Sequence, residues 1–168
     1  MIETERLVLR QWRADDATAL YKYASDKRVS ELALWPTHTA VEMSRGVIEG
    51  IFMPNPYCFA IILKESNEPV GCIGLVPVGG EHHETAHSER EVGYWIGHPF
   101  WNMGLTTEAL EALIVYCRET MGLTSLLITT DANNIASQKV AEKCGFRLYD
   151  NYLYDGVKSC AYRLKLWQ

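Results

Sequence analysis

Apolar and polar positions change their period several times along the chain, and each change predicts an element. Arg6 to Trp12 alternates with the two-residue period of a strand. Asp15 and Asp16 then stand where a helix N-terminus favours negative charge, ahead of the helical spacing Ala19, Leu20, Tyr23. Asp26 to His38 has no period, contains Trp35-Pro36 and reads as a loop. Thr39 and Glu42 have the spacing of a capping box before Val47, Ile48 and Ile51, which predicts a second helix. Cys58 to Lys64 and Val70 to Val76 are rich in β-formers and read as a hairpin turned through Glu65 to Pro69, with Gly79 to Arg90 a polar loop.

The most informative stretch is Glu91 to Leu110. Val92, Tyr94 and Ile96 alternate with Glu91, Gly93 and Trp95, and after a short loop Gly104 is followed by Thr106, Thr107 and Glu108 at a helix start. Met121-Gly122 ends that helix and Leu126 to Thr130 is an apolar run of buried-strand character. Strand, helix, strand in this order predicts a parallel pair joined by a crossover helix. Asp131 to Asn134 is a turn rich in capping residues, Ile135 to Lys143 a short helix closed by Gly145, and Phe146 opens another strand. Asp155-Gly156 then predicts a hairpin between Leu148 to Tyr154 and Val157 to Trp167. The sum is one α/β (α+β) domain over residues 1–168, with a mixed sheet whose parallel portion lies in the middle.

Composition narrows the class. With 48% apolar and 22% charged residues the chain is of globular type, and no apolar run approaches the roughly 20 residues that span a bilayer. Its start, MIETERLVLR, lacks the apolar core of a signal peptide, so a cytoplasmic protein is expected. Cys58, Cys72, Cys117, Cys144 and Cys160 are odd in number and form no CxxC pair, which argues against a disulfide framework and against zinc. A net charge of −5 disfavours a nucleic-acid surface and mildly attracts cationic amines.

A helix N-terminus presents N–H groups without an intrahelical partner and the positive end of the macrodipole, so the loop before Leu105 suits a phosphate. Phe100-Trp101-Asn102-Met103-Gly104-Leu105-Thr106-Thr107-Glu108-Ala109, taken with Asp131 to Ser137 and Glu142 to Phe146, resembles the GNAT superfamily of acetyl-CoA-dependent N-acetyltransferases. Within it the chain resembles the branch that acetylates ribosomal-protein N-termini, whose opening strand is matched by Thr4 to Arg10 and whose fourth strand is matched by Glu91 to Gly97. The resemblance implies a single-domain fold with a mixed, mostly antiparallel sheet of about six or seven strands and about four helices. A splayed parallel strand pair would form the acetyl-CoA cleft.

The same resemblance implies the site. Coenzyme A binding falls to Trp95, Ile96 and Gly97, to the loop Trp101, Asn102, Met103, Gly104, Leu105, Thr106 and Thr107, and to Asn134 and Ser137. The family pattern is Q/R-x-x-G-x-G/A; here Trp101 holds the first position, Thr106 replaces a small residue and Met103 a basic one. Asn134 is equally a helix cap. Ser137 resembles a serine that helps protonate the departing thiolate, and Ala141 stands where many relatives carry a tyrosine acid.

Glu91 is the expected general base, since an ammonium must lose a proton before its nitrogen can attack, and burial among Tyr94, Trp95 and Phe100 would raise its pKa. Glu89, on the same side of the strand, competes for that role, and an ion pair with Arg90 is the ordinary alternative. His82, His83 and His87 lack the rigid spacing of metal ligands and read as solvated residues or acceptor contacts, while Trp35, Tyr149, Tyr152 and Tyr154 flank the acceptor side in the resembled fold. Cys144 reads as a helix-end thiol, not a nucleophile. The expected reaction is direct, sequential transfer to a primary amine, with main-chain N–H groups near Ile96 stabilising the oxyanion. The acceptor is a protein N-terminus or a small molecule such as a polyamine, amino-acid-like compound or aminoglycoside. A noncatalytic acyl-CoA-binding module is the alternative of another class. No metal, nucleic acid or membrane is expected, and the chain would be a monomer or homodimer.

Overall fold

The computed structural model describes residues 1–167. In chain order it forms β1 (Ile2–Glu3), β2 (Leu7–Gln11), α1 (Ala17–Ala24), α2 (Lys27–Ala33), α3 (Val41–Val47), β3 (Cys58–Leu63), β4 (Glu68–Leu75), β5 (Glu89–Ile96), α4 (Leu105–Glu119), β6 (Ser125–Asp131), α5 (Ile135–Lys143), β7 (Arg147–Tyr154) and β8 (Val157–Lys165). The strands make one mixed sheet in the order β1-β2-β3-β4-β5-β6-β8-β7. This is the expected α/β architecture, with eight strands where about six or seven were expected, one of them the two-residue β1. The chain divides into two compact units, residues 1–74 with 94–109, and residues 75–93 with the chain from 110 onward.

In the first unit β2, β3 and β4 pair antiparallel, and β3 is buried along its whole length. Alternation sends Ala60 and Ile62 to a core with Trp12, which directly follows β2, and with Ala17, Leu20, Ala24 and Ile48, which the helical segments supply. Burial on both strand faces explains why this run is continuously apolar.

Two expectations fail here. The stretch read as a loop contains α2, whose N-cap Asp26 accepts from the Arg28 N–H at 2.9 Å and whose end is Leu34 in the left-handed region at φ 63°. Seven residues make about two turns, too few for a 3.6-residue period to be legible. The Thr39–Glu42 capping box does not form either: Ala40 is the N-cap, the Thr39 hydroxyl contacts Met43 Sδ at 3.8 Å, and a π-helical turn over Ile48–Phe52 follows α3.

In the second unit β6 is antiparallel to β8, and β8 to β7. Leu126, Leu127 and Ile128 are all buried, as their unbroken apolar run predicts for a central strand. The parallel register between β5 and β6 runs from Glu89↔Ser125 to Val92↔Ile128 and stops there, although β5 continues to Ile96 and β6 to Asp131. In β7 the register skips Tyr149, because Leu148 pairs with Tyr162 and Asp150 with Ala161. Such a bulge re-aims a side chain locally.

Candidate active site

In the first unit the end of β5 leads through a tight loop into α4. Gly97 donates its N–H to Val70 O at 2.8 Å, and a Cβ there would lie 2.6 Å from the Tyr23 ring. That ring is itself fixed edge-on to Phe100. The glycine is therefore explained by close packing on Tyr23, a reason the sequence did not reveal. Trp95 packs against Trp35 at 5.5 Å, and the Trp101 indole N–H donates to Ile96 O at 3.0 Å, bracing the loop. Asn102 (φ 62°) and Gly104 (φ 75°) are left-handed on either side of Met103. Left-handed residues of this kind are a component of the backbone nests that hold anions. A Cβ on Gly104 would meet only Arg6 Nη2, at 3.6 Å. Leu105 is buried, so only its main chain can reach a ligand.

Sequence reasoning missed Arg6 and Glu108. The Arg6 guanidinium donates to Met103 O at 2.9 Å and to Glu108 Oε1 at 2.8 Å, while the Arg6 N–H and the Thr4 hydroxyl bond Glu108 Oε2 at 2.9 and 2.6 Å. Partial burial works to raise the Glu108 carboxyl, but the Thr4 and Arg6 bonds outweigh it and hold it below its ordinary value. Glu108 thus ties the first turn of α4 to the opening strands. Arg6 brings to the loop a positive charge that Met103 cannot. The signal was the sequence Thr4-Glu5-Arg6, which carries no phosphate pattern of its own.

In the second unit Glu89 and Glu91 are both buried, at 5% and 2% exposure. The Glu89 carboxylate accepts from Ser125 Oγ (2.6 Å), Arg163 Nε (2.7 Å), Arg163 Nη2 (2.9 Å) and the Ala86 N–H (2.9 Å). Burial alone would raise its pKa; the bonds from Arg163, Ser125 and Ala86 more than offset this and hold it below the usual carboxylate range. With every lone pair engaged, Glu89 is built as an ion pair. Arg90 Nη2 donates to Val76 O at 3.1 Å.

Glu91 accepts at Oε1 from the His82 N–H (2.8 Å) and at Oε2 from Thr129 Oγ1 (3.0 Å), with His82 Nδ1 on Oε2 at 2.7 Å. None of these partners is among the aromatic residues expected to surround it. The His82 side chain is 44% exposed, against 3% for that of Glu91, and its ring stands edge-on to Tyr154 at 5.2 Å. The hydrogen bond to Glu91 raises the His82 pKa, more than its partial burial lowers it.

His82, His83, Glu84, Tyr149, Asp150, Tyr152 and Tyr154 line a cavity of about 640 Å³. Asp150, Tyr152 and Tyr154 share one face by alternation, and the bulge adds Tyr149. His83 is held by Asp150 Oδ2 at Nε2 and Glu84 O at Nδ1, both 2.9 Å, and Arg163 stacks on Tyr149 at 3.7 Å. Tyr152 is pushed up to about 12 by burial.

At the start of α5 the Asn134 Oδ1 caps the helix by accepting from the Ser137 N–H at 3.1 Å. Cys144 is pushed up to about 11 by burial, the opposite of what a nucleophile requires. Among the described residues no group of three or more His, Cys, Asp or Glu is arranged to hold a metal, because His82 and His83 engage different carboxylates.

These features meet a consistent set of relatives. A protein of Bacillus licheniformis known as the uncharacterized N-acetyltransferase p20 is 29% identical over 148 residues, covering 86% of this chain and 80% of that protein. A candidate ribosomal-protein-serine acetyltransferase of Vibrio cholerae superposes with a TM-score of 0.79 at 27% identity, covering 98% of this chain and 96% of the other. The ribosomal-protein alpha-N-acetyltransferase RimL, solved in complex with coenzyme A, superposes with a TM-score of 0.76 at 20% identity over 96% and 95% of the two chains. The model of the acetyltransferase (GNAT) domain matches residues 6–147, which carry β2 to β6 and the loop before α4, and so the chain belongs to the GNAT acetyltransferase family.

Proposed function

We propose that this acetyltransferase moves the acetyl group of acetyl-CoA to a primary amine in one direct step, and that its acceptor is the α-amino group of a protein. The observation that carries the reading is the loop from Trp101 to Gly104. Its two left-handed residues, its bracing by the Trp101 indole and its clamping by Arg6 prepare main-chain N–H groups at the start of a 15-residue helix for a diphosphate. The RimL complex supports coenzyme A as the occupant. The Vibrio cholerae relative makes a ribosomal protein the acceptor to test first.

In this reading the diphosphate rests on Trp101, Asn102, Met103, Gly104, Leu105, Thr106 and Thr107, with Arg6 beside it. The pantetheine arm follows Trp95, Ile96 and Gly97 at the end of β5. The Ile96 N–H faces the developing oxyanion. Glu91 supplies the negative charge that draws the proton from the ammonium, and Ser137 returns a proton to the departing thiolate. Positioning of the two substrates supplies most of the acceleration. The five cysteines, which form no disulfide among the described residues, suit a reducing compartment, the cytoplasm.

Two measurements test this. Calorimetry on folded protein gives a heat of association with acetyl-CoA, and mass spectrometry detects a single added acetyl on serine- and alanine-initiated peptides in preference to polyamines and aminoglycosides. Absence of any heat with coenzyme A or acetyl-CoA would end the proposal; acetylation of small amines alone would move the acceptor to that class.

A further inference from the structure

We propose that His82 is the catalytic residue that takes the acceptor's proton, and that Glu91 is a positioning residue behind it. The inference rests on the acetyltransferase reading above and assigns the proton-transfer atom within that site.

The two side chains divide the requirements of a base between them. Glu91 has the charge but not the access: its side chain is 3% exposed, its oxygens are engaged by His82 and Thr129, and it is absent from the cavity wall. His82 has the access: its side chain is 44% exposed and lines the cavity beside Tyr152 and Tyr154. A carboxylate can only accept, so Nδ1 carries the proton in that bond and Nε2 keeps its lone pair in the neutral ring. Among the described residues no partner takes Nε2. The ring is fixed at its other atoms by the Glu91 bond, by its own N–H on the same carboxylate and by the edge-on contact with Tyr154.

The charged and titratable groups that face His82 are Glu91 from β5, Glu81 from its own loop and Tyr154 from β7; Thr129 of β6 shares the Glu91 oxygen. Both carboxylates stabilise the imidazolium. In the transfer, Nε2 takes one proton from R–NH3⁺, the neutral nitrogen forms the C–N bond to the thioester carbonyl carbon, and the C–S bond breaks. Ser137 gives its hydroxyl proton to the thiolate and is reprotonated by the remaining excess proton on nitrogen, and the proton on His82 leaves to solvent. The sum is ammonium plus acetyl-CoA giving amide, free thiol and one proton.

The test uses the full chain and an amine that the wild-type protein is first shown to acetylate. His82→Gln should lower kcat by about 100-fold or more, leave KM for acetyl-CoA within about twofold and abolish the acidic limb of the kcat/KM profile. Glu91→Gln should lower kcat by about 10- to 1000-fold and move that limb to lower pH, because the imidazolium loses its counter-charge, and Glu91→Asp should restore part of both. His87→Gln, an exposed change in the same loop, should leave all three values unchanged.

Long-range proton–nitrogen spectra provide a readout that needs no turnover: the neutral His82 ring should carry its proton on Nδ1. A His82→Gln variant within about threefold of wild-type kcat, or a neutral ring protonated at Nε2, would overturn the proposal. Failure of the wild type to acetylate any amine would instead refute the acetyltransferase reading, and the ring's tautomer would still judge the His82–Glu91 geometry.

Discussion

Glu89→Gln separates the structural carboxylate from the chemical one. The substitution keeps the volume but replaces a fourfold acceptor with a group that must point an NH2 at some of the donors from Ser125, Arg163 and Ala86. Its side chain is 0% exposed and that of Arg163 20%, so the cation left behind is only partly able to recover water. Removing one partner of a buried pair costs about 3–5 kcal/mol, and the residual access of Arg163 puts the expectation at the lower end, about 3 kcal/mol. At about 2–4 °C per kcal/mol for a chain of this size, the melting temperature should fall by about 6–12 °C.

The difference should depend on pH with a definite sign. The Glu89 pKa is depressed in the folded state, so its contribution is fully present above the unfolded value near 4.5 and is lost as pH falls through the folded one. The melting curves of the two proteins should therefore converge in acid. Circular dichroism melts from neutral to acidic pH give the first quantity, and kcat measured where both proteins are folded gives the second, expected within about threefold of wild type. A loss below about 1 kcal/mol, or a collapse of kcat in fully folded Glu89→Gln, would refute the assignment of Glu89 as an ion pair.

Gly104→Val faces ordinary contact with Arg6 but a φ of 75°; it should cost about 1–2 kcal/mol in a denaturant melt and raise KM for acetyl-CoA with kcat little changed, and unaltered KM would count against the loop as the phosphate grip. Gly97→Ala has a permissive φ of −59°, so its expected loss of about 1–3 kcal/mol comes from the Tyr23 clash alone, and adding it to Tyr23→Ala, which leaves only a Cβ at 3.3 Å, should cost much less. Partial burial works against the His83 imidazolium, but Asp150 and Glu84 O outweigh it and raise the pKa, so the bond stabilises the loop below the ordinary histidine value and weakens as pH rises through the folded one. Limited proteolysis of residues 79–88 should accelerate as pH rises past the ordinary histidine value, and this dependence should vanish in His83→Gln.

How much the chain disclosed in advance depended on whether a signal was local. Strand alternation, the apolar run at Leu126 to Ile128, the Asp155-Gly156 turn and the helix starting after Gly104 are all set by residues within a few positions of one another, and all were legible. The helix α2 was not, being about two turns long with its boundary fixed by an Asp26 cap and a left-handed Leu34. Glu91 could be picked out as an acid on a strand opening toward a helix start. Its partners could not, because His82 lies in a loop whose composition predicts solvation or an acceptor contact and not a bond to Glu91, and Thr129 comes from a strand 38 positions away.

By itself the sequence determined the order of the elements other than α2, the glycine turn into α4 and the resemblance that named the chemistry, since periodicity, caps and turn residues act over one or two turns of chain. Only the tertiary structure decided which carboxylate is spent on Arg163 and which holds a histidine, that Gly97 makes room for Tyr23, and that Arg6 clamps the loop at Met103. Those outcomes rest on close packing and on hydrogen bonds of 2.7–2.9 Å between residues that only the fold brings together, and such contacts are set by register and packing rather than by local pattern.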